Sequence, residues 1–232
     1  MSSSGTYLAP LSPRKSSILT PRYLKRMFIN SDLSNLKQFS DEVENFLSIQ
    51  LEHHDKLAKE LVAAHKSAEG ENAQMMIFTG GLQTYGSDFP HILRNSLFVY
   101  MFSKWEGALE SFCKHIRKER KLKLGQKDLN GDVLERSKLY LEKVAGLRFP
   151  KTPKTIQSLR VLGFIRNLIV HSNGVMPDSY DAGRSRAIVS YLKKTKTGCI
   201  INDIGIHLDD AFCPAAIGVF ESFWRELFYS SK

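Results

Sequence analysis

Apolar residues recur at helical spacing along most of this chain. Leu36, Phe39, Val43, Phe46, Leu47, Leu51, Leu57 and Leu61 predict a long helix over about 32–68, with these positions as its core face. Ser31 or Asp32 stands where its N-cap belongs. Gly70, Gly80, Gly81 and Gly86 mark 69–89 as a connection. A second long helix is expected over 90–123, with Pro90 in its first turn and Leu93, Leu97, Tyr100, Met101, Trp105, Leu109, Phe112 and Ile116 as its stripe. A shorter helix over 132–145 stops at Gly146. Another runs over 155–172, started by Thr152 or Thr155 and stopped by Asn173-Gly174. The pattern then changes. Stretches 187–192 and 199–208 are rich in β-branched residues and partly alternate, so they predict a β-hairpin with 193–198 as a basic tip. A strongly apolar helix over 209–229 closes the chain, with Asp209 or Asp210 at its start. The expected fold is mainly α: a helical bundle with a β-hairpin inserted before the last helix, one domain over 31–232 behind an arm of residues 1–30.

Composition narrows this picture. The apolar fraction, 42%, suits a soluble globular domain. No run approaches the roughly 18 apolar residues of a membrane span, so no membrane association is expected. The N-terminus lacks the apolar core of a signal peptide. Pro10, Pro13 and Pro21 interrupt any amphipathic transit helix there. Cys113, Cys199 and Cys213 lack metal-ligand spacing, and their odd number points to reduced thiols in a cytoplasm. His53-His54-Asp55 has the residue types of a metal cluster. Neighbours on a helix point about 100° apart, however, so these three do not converge by themselves, and no metal is expected.

The net charge of +9 is concentrated. Residues 1–30 hold Arg14, Lys15, Arg22, Lys25 and Arg26 and no acid. Residues 114–127 hold seven cations, among them Lys114, Arg117, Lys118 and Lys121, against Glu119 alone. Concentrated positive charge attracts polyanions, nucleic acid first. The plainer alternative is a solvated helix end whose cations suit the macrodipole.

The helix over 155–172 carries the most informative chemistry. At about 100° per residue, with Arg166 at zero, Leu162, Ile165, Ile169, Val161 and Leu168 form one broad apolar arc. Asn167, Arg160 and His171 fall together near 100–140° on the opposite face, and Gly163 lies near 60°. Arg166 sits to one side, with a side chain long enough to swing toward the same space. Gly163 leaves room for another backbone to approach. Arginine can hold a phosphate bidentately, and histidine can move a proton near neutral pH. The structural alternative is a polar stripe near a helix end, where His171 complements the macrodipole.

Arg166-Asn167 followed by His171 resembles the Arg-x4-6-His signature of HEPN domains. The stretch Trp105-Glu106-Gly107-Ala108-Leu109-Glu110-Ser111-Phe112 is similar to a Trp-Glu-bearing stretch of HEPN families from prokaryotic toxin and defence systems. The resemblance covers about residues 32–230; the hairpin is an addition to the minimal bundle, and the basic arm is unexplained by it. It implies a metal-independent endoribonuclease without a cofactor, a toxin or antiphage effector that acts as a cytoplasmic homodimer. His171 would serve as base or acid, Arg166 would hold the scissile phosphate, and Asn167 would orient either group. Glu106 would stand behind them, and Arg94 would line the cleft. Gly163 and Arg160 would meet the second copy. Lys114, Arg117, Lys118 and Lys121, with Lys193 and Lys194 at the hairpin tip, would steer RNA. An antitoxin or another defence-system protein is an expected partner. The alternatives are a non-catalytic HEPN module that binds nucleotides or a protein, and a DNA-associated accessory domain.

Overall fold

The structure, a computed structural model, describes residues 32–64, 80–176, 182–195, 197–202 and 205–229. The basic arm of residues 1–30 lies outside them, as does Lys196. Among the described residues, six α-helices of seven residues or more and one hairpin follow in order: α1 (Asp32–Ala64), α2 (Phe89–Glu119), α3 (Val133–Leu139), α4 (Pro153–Ser172), α5 (Ala182–Thr195), β1 (Cys199–Asn202), β2 (Gly205–Leu208) and α6 (Phe212–Tyr229). The fold is mainly helical, with a two-stranded antiparallel hairpin before the last helix.

α2 runs through the middle and packs against α1, α3, α4, α6 and β2. It buries Leu97, Phe98, Met101, Phe102, Trp105, Leu109, Phe112, Cys113 and Ile116. α6 supplies the facing aromatic wall. Trp105 stacks on Phe220 at 5.6 Å with its edge contact to Phe223 at 5.2 Å, and Phe98 meets Phe212 edge-on at 4.9 Å. Such ring pairs contribute about 0.5–1.5 kcal/mol each beyond the area they bury. Among the described residues the buried apolar side chains join in one cluster. The three thiols sit in it, pushed up to about 12 by burial, which leaves them protonated and inert.

Several boundaries follow their sequence signals. Asp132 caps α3 by accepting the Glu135 N–H at 2.8 Å. α3 continues as a wide helical turn over Tyr140–Val144, and Gly146 adopts φ +62 just after it. Asn173 (φ 49) and Gly174 (φ 80) end α4 with left-handed backbone, and the Gly174 N–H returns to the Leu168 carbonyl at 2.9 Å.

Other expectations need correction. Residues 187–192 are helical, inside α5, and the hairpin is 199–202 paired with 205–208, Cys199 opposite Leu208. The β-branched pair Ile188-Val189 suggested a strand. Burial of Ile188 and Leu192 one turn apart outweighs that preference. Lys193 and Lys194 therefore end α5 and form no hairpin tip. The connection expected over 69–89 is helical from Gly80 onward, with one wide turn at Thr84–Asp88 leading into α2. α2 ends at Glu119 and not at 123, because Lys121 turns to φ 52. Thr152 occupies the N-cap position of α4 without a side-chain capping bond. Thr155 instead donates from inside the helix to Glu226 of α6 at 2.6 Å. On α1 only part of the expected core face is covered: Leu36 and Leu47 are buried, while Phe39, Phe46, Leu51 and Leu57 are exposed.

Candidate functional site

α4 crosses α2 with its apolar arc inward. Leu159, Leu162, Ile165 and Leu168 are buried, so the face bearing Arg160, Gly163 and Asn167 turns outward. That face lines a cleft of about 1140 Å³ bounded by α2, α3, α4 and α5. Phe102 and Trp105 of α2, Phe164 of α4 and Tyr191 of α5 give it aromatic walls. Its charged groups are Glu106, Asp132, Glu135 and Glu142 against Lys138, Lys151 and Arg160. The indole N–H of Trp105 is buried there without a hydrogen-bond acceptor. Tyr191 ties α5 to α4 through a 2.6 Å hydrogen bond between its hydroxyl and that of Ser158.

The structure brings Arg166, Asn167 and Glu106 together. Arg166 donates from Nη1 to Asn167 Oδ1 at 2.9 Å, and its Nη2 lies 3.6 Å from Glu106 Oε2. Its Nε is buried without an acceptor. Burial pushes the Glu106 carboxyl above the ordinary carboxylate range, opposed by the neighbouring Arg166 cation. The pair is thus held loosely, at ion-pair distance, and partly out of water. His171 lies one turn beyond Asn167 on the exposed end of α4, outside the cleft walls.

The hairpin supports this end of α4. A side chain added at Gly174 would meet Ile206 at 3.1 Å, so glycine lets β2 press against the helix terminus. Gly163 lies where this outward face borders α2: a Cβ there would meet the Phe102 ring at 3.4 Å, an ordinary contact.

Arg94 stands elsewhere. It grips Glu44 of α1 with two hydrogen bonds of 2.8 and 2.6 Å and donates to the Leu208 carbonyl at 3.2 Å. It pins α1, α2 and the hairpin together and does not line the cleft. The second carboxylate of the Trp-Glu stretch, Glu110, faces α3, 3.4 Å from Arg136. Lys114 and Arg117 border a separate hollow with Gly125 and Lys127. The Arg117 guanidinium donates to the Lys123 carbonyl at 2.6 Å and closes that turn. Lys118 and Lys121 are exposed beside it. Lys193 borders a third hollow, against β1. Of the basic groups expected to steer RNA, Lys114, Arg117 and Lys193 thus border hollows other than the cleft. His54 stacks on Tyr85 at 4.7 Å and Asp55 pairs with Lys59, so the His53-His54-Asp55 group does not converge. Among the described residues no three His, Cys, Asp or Glu side chains gather as metal ligands, and no described helix is long and apolar enough to cross a membrane.

Sequence reasoning missed the walls of the cleft: Asp132, Glu135 and Lys138 of α3, and Ile188 and Tyr191 of α5. The α5 signal was present, since Ile188, Tyr191, Leu192 and Thr195 recur every three or four residues. No protein-family model, curated protein or solved structure matches this chain.

Proposed function

We propose that the protein is a metal-independent endoribonuclease of HEPN type, a toxin or antiphage effector that acts as a homodimer. The observation that carries this reading is the placement of Arg166. It sits between Asn167 and Glu106 at the edge of a cleft, with His171 exposed one turn away. RNA brings its own nucleophile. A base removes the 2′-hydroxyl proton, the oxygen attacks the adjacent phosphorus, and the 5′-oxygen leaves with a proton. His171 moves the protons, and Arg166, released from Glu106, holds the phosphate and its developing charge. Asn167 orients the guanidinium. A second copy meeting along the Arg160–Gly163 face brings a second Arg166 and His171 to the same phosphate. The products are a 2′,3′-cyclic phosphate and a 5′-hydroxyl end.

A second reading has its own support. The cleft carries more carboxylates than cations, which suits a polyanion poorly; of the two ligands open to a non-catalytic module, a nucleotide or a protein, it favours the protein.

Cleavage of RNA by the purified protein in EDTA, beside Arg166→Ala and His171→Ala, decides between them. The nuclease reading expects cyclic-phosphate ends from the wild type and loss of roughly 100-fold or more in either variant. Equal cutting by all three, or none by the wild type, overturns it. Light scattering tests the dimer, and an active monomer removes the composite site.

A further inference from the structure

α1 has two apolar faces, and its bundle covers one. Leu33, Leu36, Ser40, Leu47 and Ala58 are buried. Phe39, Phe46, Ile49 and Leu57 are 55%, 49%, 52% and 40% exposed. At about 100° per residue the first set centres some 110° from the second, and the exposed four fall within roughly 80° of one another. Val43, half-buried, sits beside them. A stripe of large apolar side chains on a surface marks a place where something docks.

Charge selects the occupant. α1 carries seven acids and three lysines, a net charge of −4, and the exposed Glu42 and Glu60 fall among the stripe's own positions on the helix. The same helix of a second copy would bring like charge against it. Residues 18–29 of this chain have the complementary character. They contain Arg22, Lys25 and Arg26, no acid, and the apolar Tyr23, Leu24, Met27 and Phe28. They also lie immediately before α1 in the chain. Phe39 and Phe46 stand roughly 11 and 21 Å along the helix from its start, and ten extended residues reach about 33 Å. A short covalent tether raises the local concentration of the segment to the millimolar range, so modest affinity suffices.

We infer that the outer face of α1 is the docking surface for the chain's own residues 18–29. Tyr23, Leu24, Met27 and Phe28 cover the phenylalanine stripe, and Arg22, Lys25 and Arg26 meet its acids. The cations of this segment are then engaged by α1 and are withheld from nucleic acid. The inference is independent of the nuclease reading.

Thiol labelling of the full chain tests it. The native thiols Cys113, Cys199 and Cys213 are buried and protonated, so a cysteine introduced as Phe46→Cys reports alone. Maleimide labelling is compared with that of the same chain carrying Arg22→Glu, Lys25→Glu and Arg26→Glu. An unchanged melting temperature checks that these three changes leave the fold intact. The expected result is labelling about fivefold faster after charge reversal, the change that follows from roughly 1 kcal/mol of lost docking. Ser48→Cys, exposed on the side of the helix away from the stripe, serves as the control and should label at the same rate in both backgrounds, so the outcomes are read at Phe46→Cys. Equal rates in both backgrounds overturn the proposal. Protection that grows with protein concentration overturns it too, since a second copy would then be the occupant.

Discussion

α1 and α2 are nearly equal in length, 33 and 31 residues, and both repeat apolar residues at helical period. α2 is enclosed by α1, α3, α4, α6 and β2, and its stripe is the core of the protein. α1 lies on the outside against α2 and α6, and half of its large apolar side chains face out. Their charges differ in the same way. The carboxylates Glu106 and Glu110 of α2 reach Arg166 and Arg136 on neighbouring helices. On α1, among the described residues, Glu44 makes such a bond, to Arg94, and the ion pairs of Asp55 and Glu60 are with lysines one turn away. Periodicity reports that a face exists; the number of neighbours decides whether it is a core or a surface.

The comparison breaks first in the core. Phe98→Ala on α2 should cost about 3–5 kcal/mol of unfolding free energy, because the side chain is fully buried against Phe212 and Phe102. Denaturant titration checks this, and a cost under about 1 kcal/mol would mean that α2 is not the centre it is described to be. On the proposed nuclease reading Arg166→Ala should come next, lowering RNA cleavage by roughly 100-fold with little change in melting temperature. A large loss of stability with no change in cleavage would make the Glu106–Arg166 contact a strut between α2 and α4.

Arg94→Ala should destabilise by about 1–3 kcal/mol, since it leaves the Glu44 carboxylate and the Leu208 carbonyl short of their donor. Hydrogen exchange in α1 and the hairpin should rise together; a rise confined to one of them would separate the two contacts. Glu106→Gln gives a smaller, pH-dependent effect. The folded protein holds the Glu106 proton more tightly than the unfolded chain, so wild-type stability falls as pH rises from the unfolded carboxyl range through the raised folded value. The variant lacks that fall. Its melting temperature should gain on the wild type across that window and then level off. A gap that closes with rising pH would show that pairing with Arg166 outweighs burial. Ile49→Ser on α1 should be smallest, no more than about 1 kcal/mol, because the bundle leaves the side chain half in water and only the docked segment would cover it.

Much of the bundle was legible from residue order. The Asp132 cap, the Asn173-Gly174 stop and the stripe of α2 act through neighbours a few residues away, so local chemistry states them. Residues 187–192 were misread because Ile188 and Val189 favour strands when considered alone, while Ile188 and Leu192 are held as a helical pair by what lies beneath them. Arg94 was misplaced for a related reason: an Arg-Asn pair looks the same whether it faces a cleft or a distant glutamate. Of the site, the shared face of Arg160, Gly163 and Asn167 follows from helical geometry. Its walls on α3 and α5 do not, because they are contributed by segments far away in sequence.

The amino-acid sequence by itself determined a mostly helical chain, the ends of α4, the side of that helix on which Asn167 and Arg160 meet, and the uneven charge. These are properties of period, capping and composition. Only the tertiary structure decided that Glu106 is the group that holds Arg166, that Arg94 belongs to Glu44, that Lys114, Arg117 and Lys193 border separate hollows, and that the bundle leaves one face of α1 uncovered. Those outcomes depend on which helices become neighbours, and burial is a relation between segments that no single segment encodes.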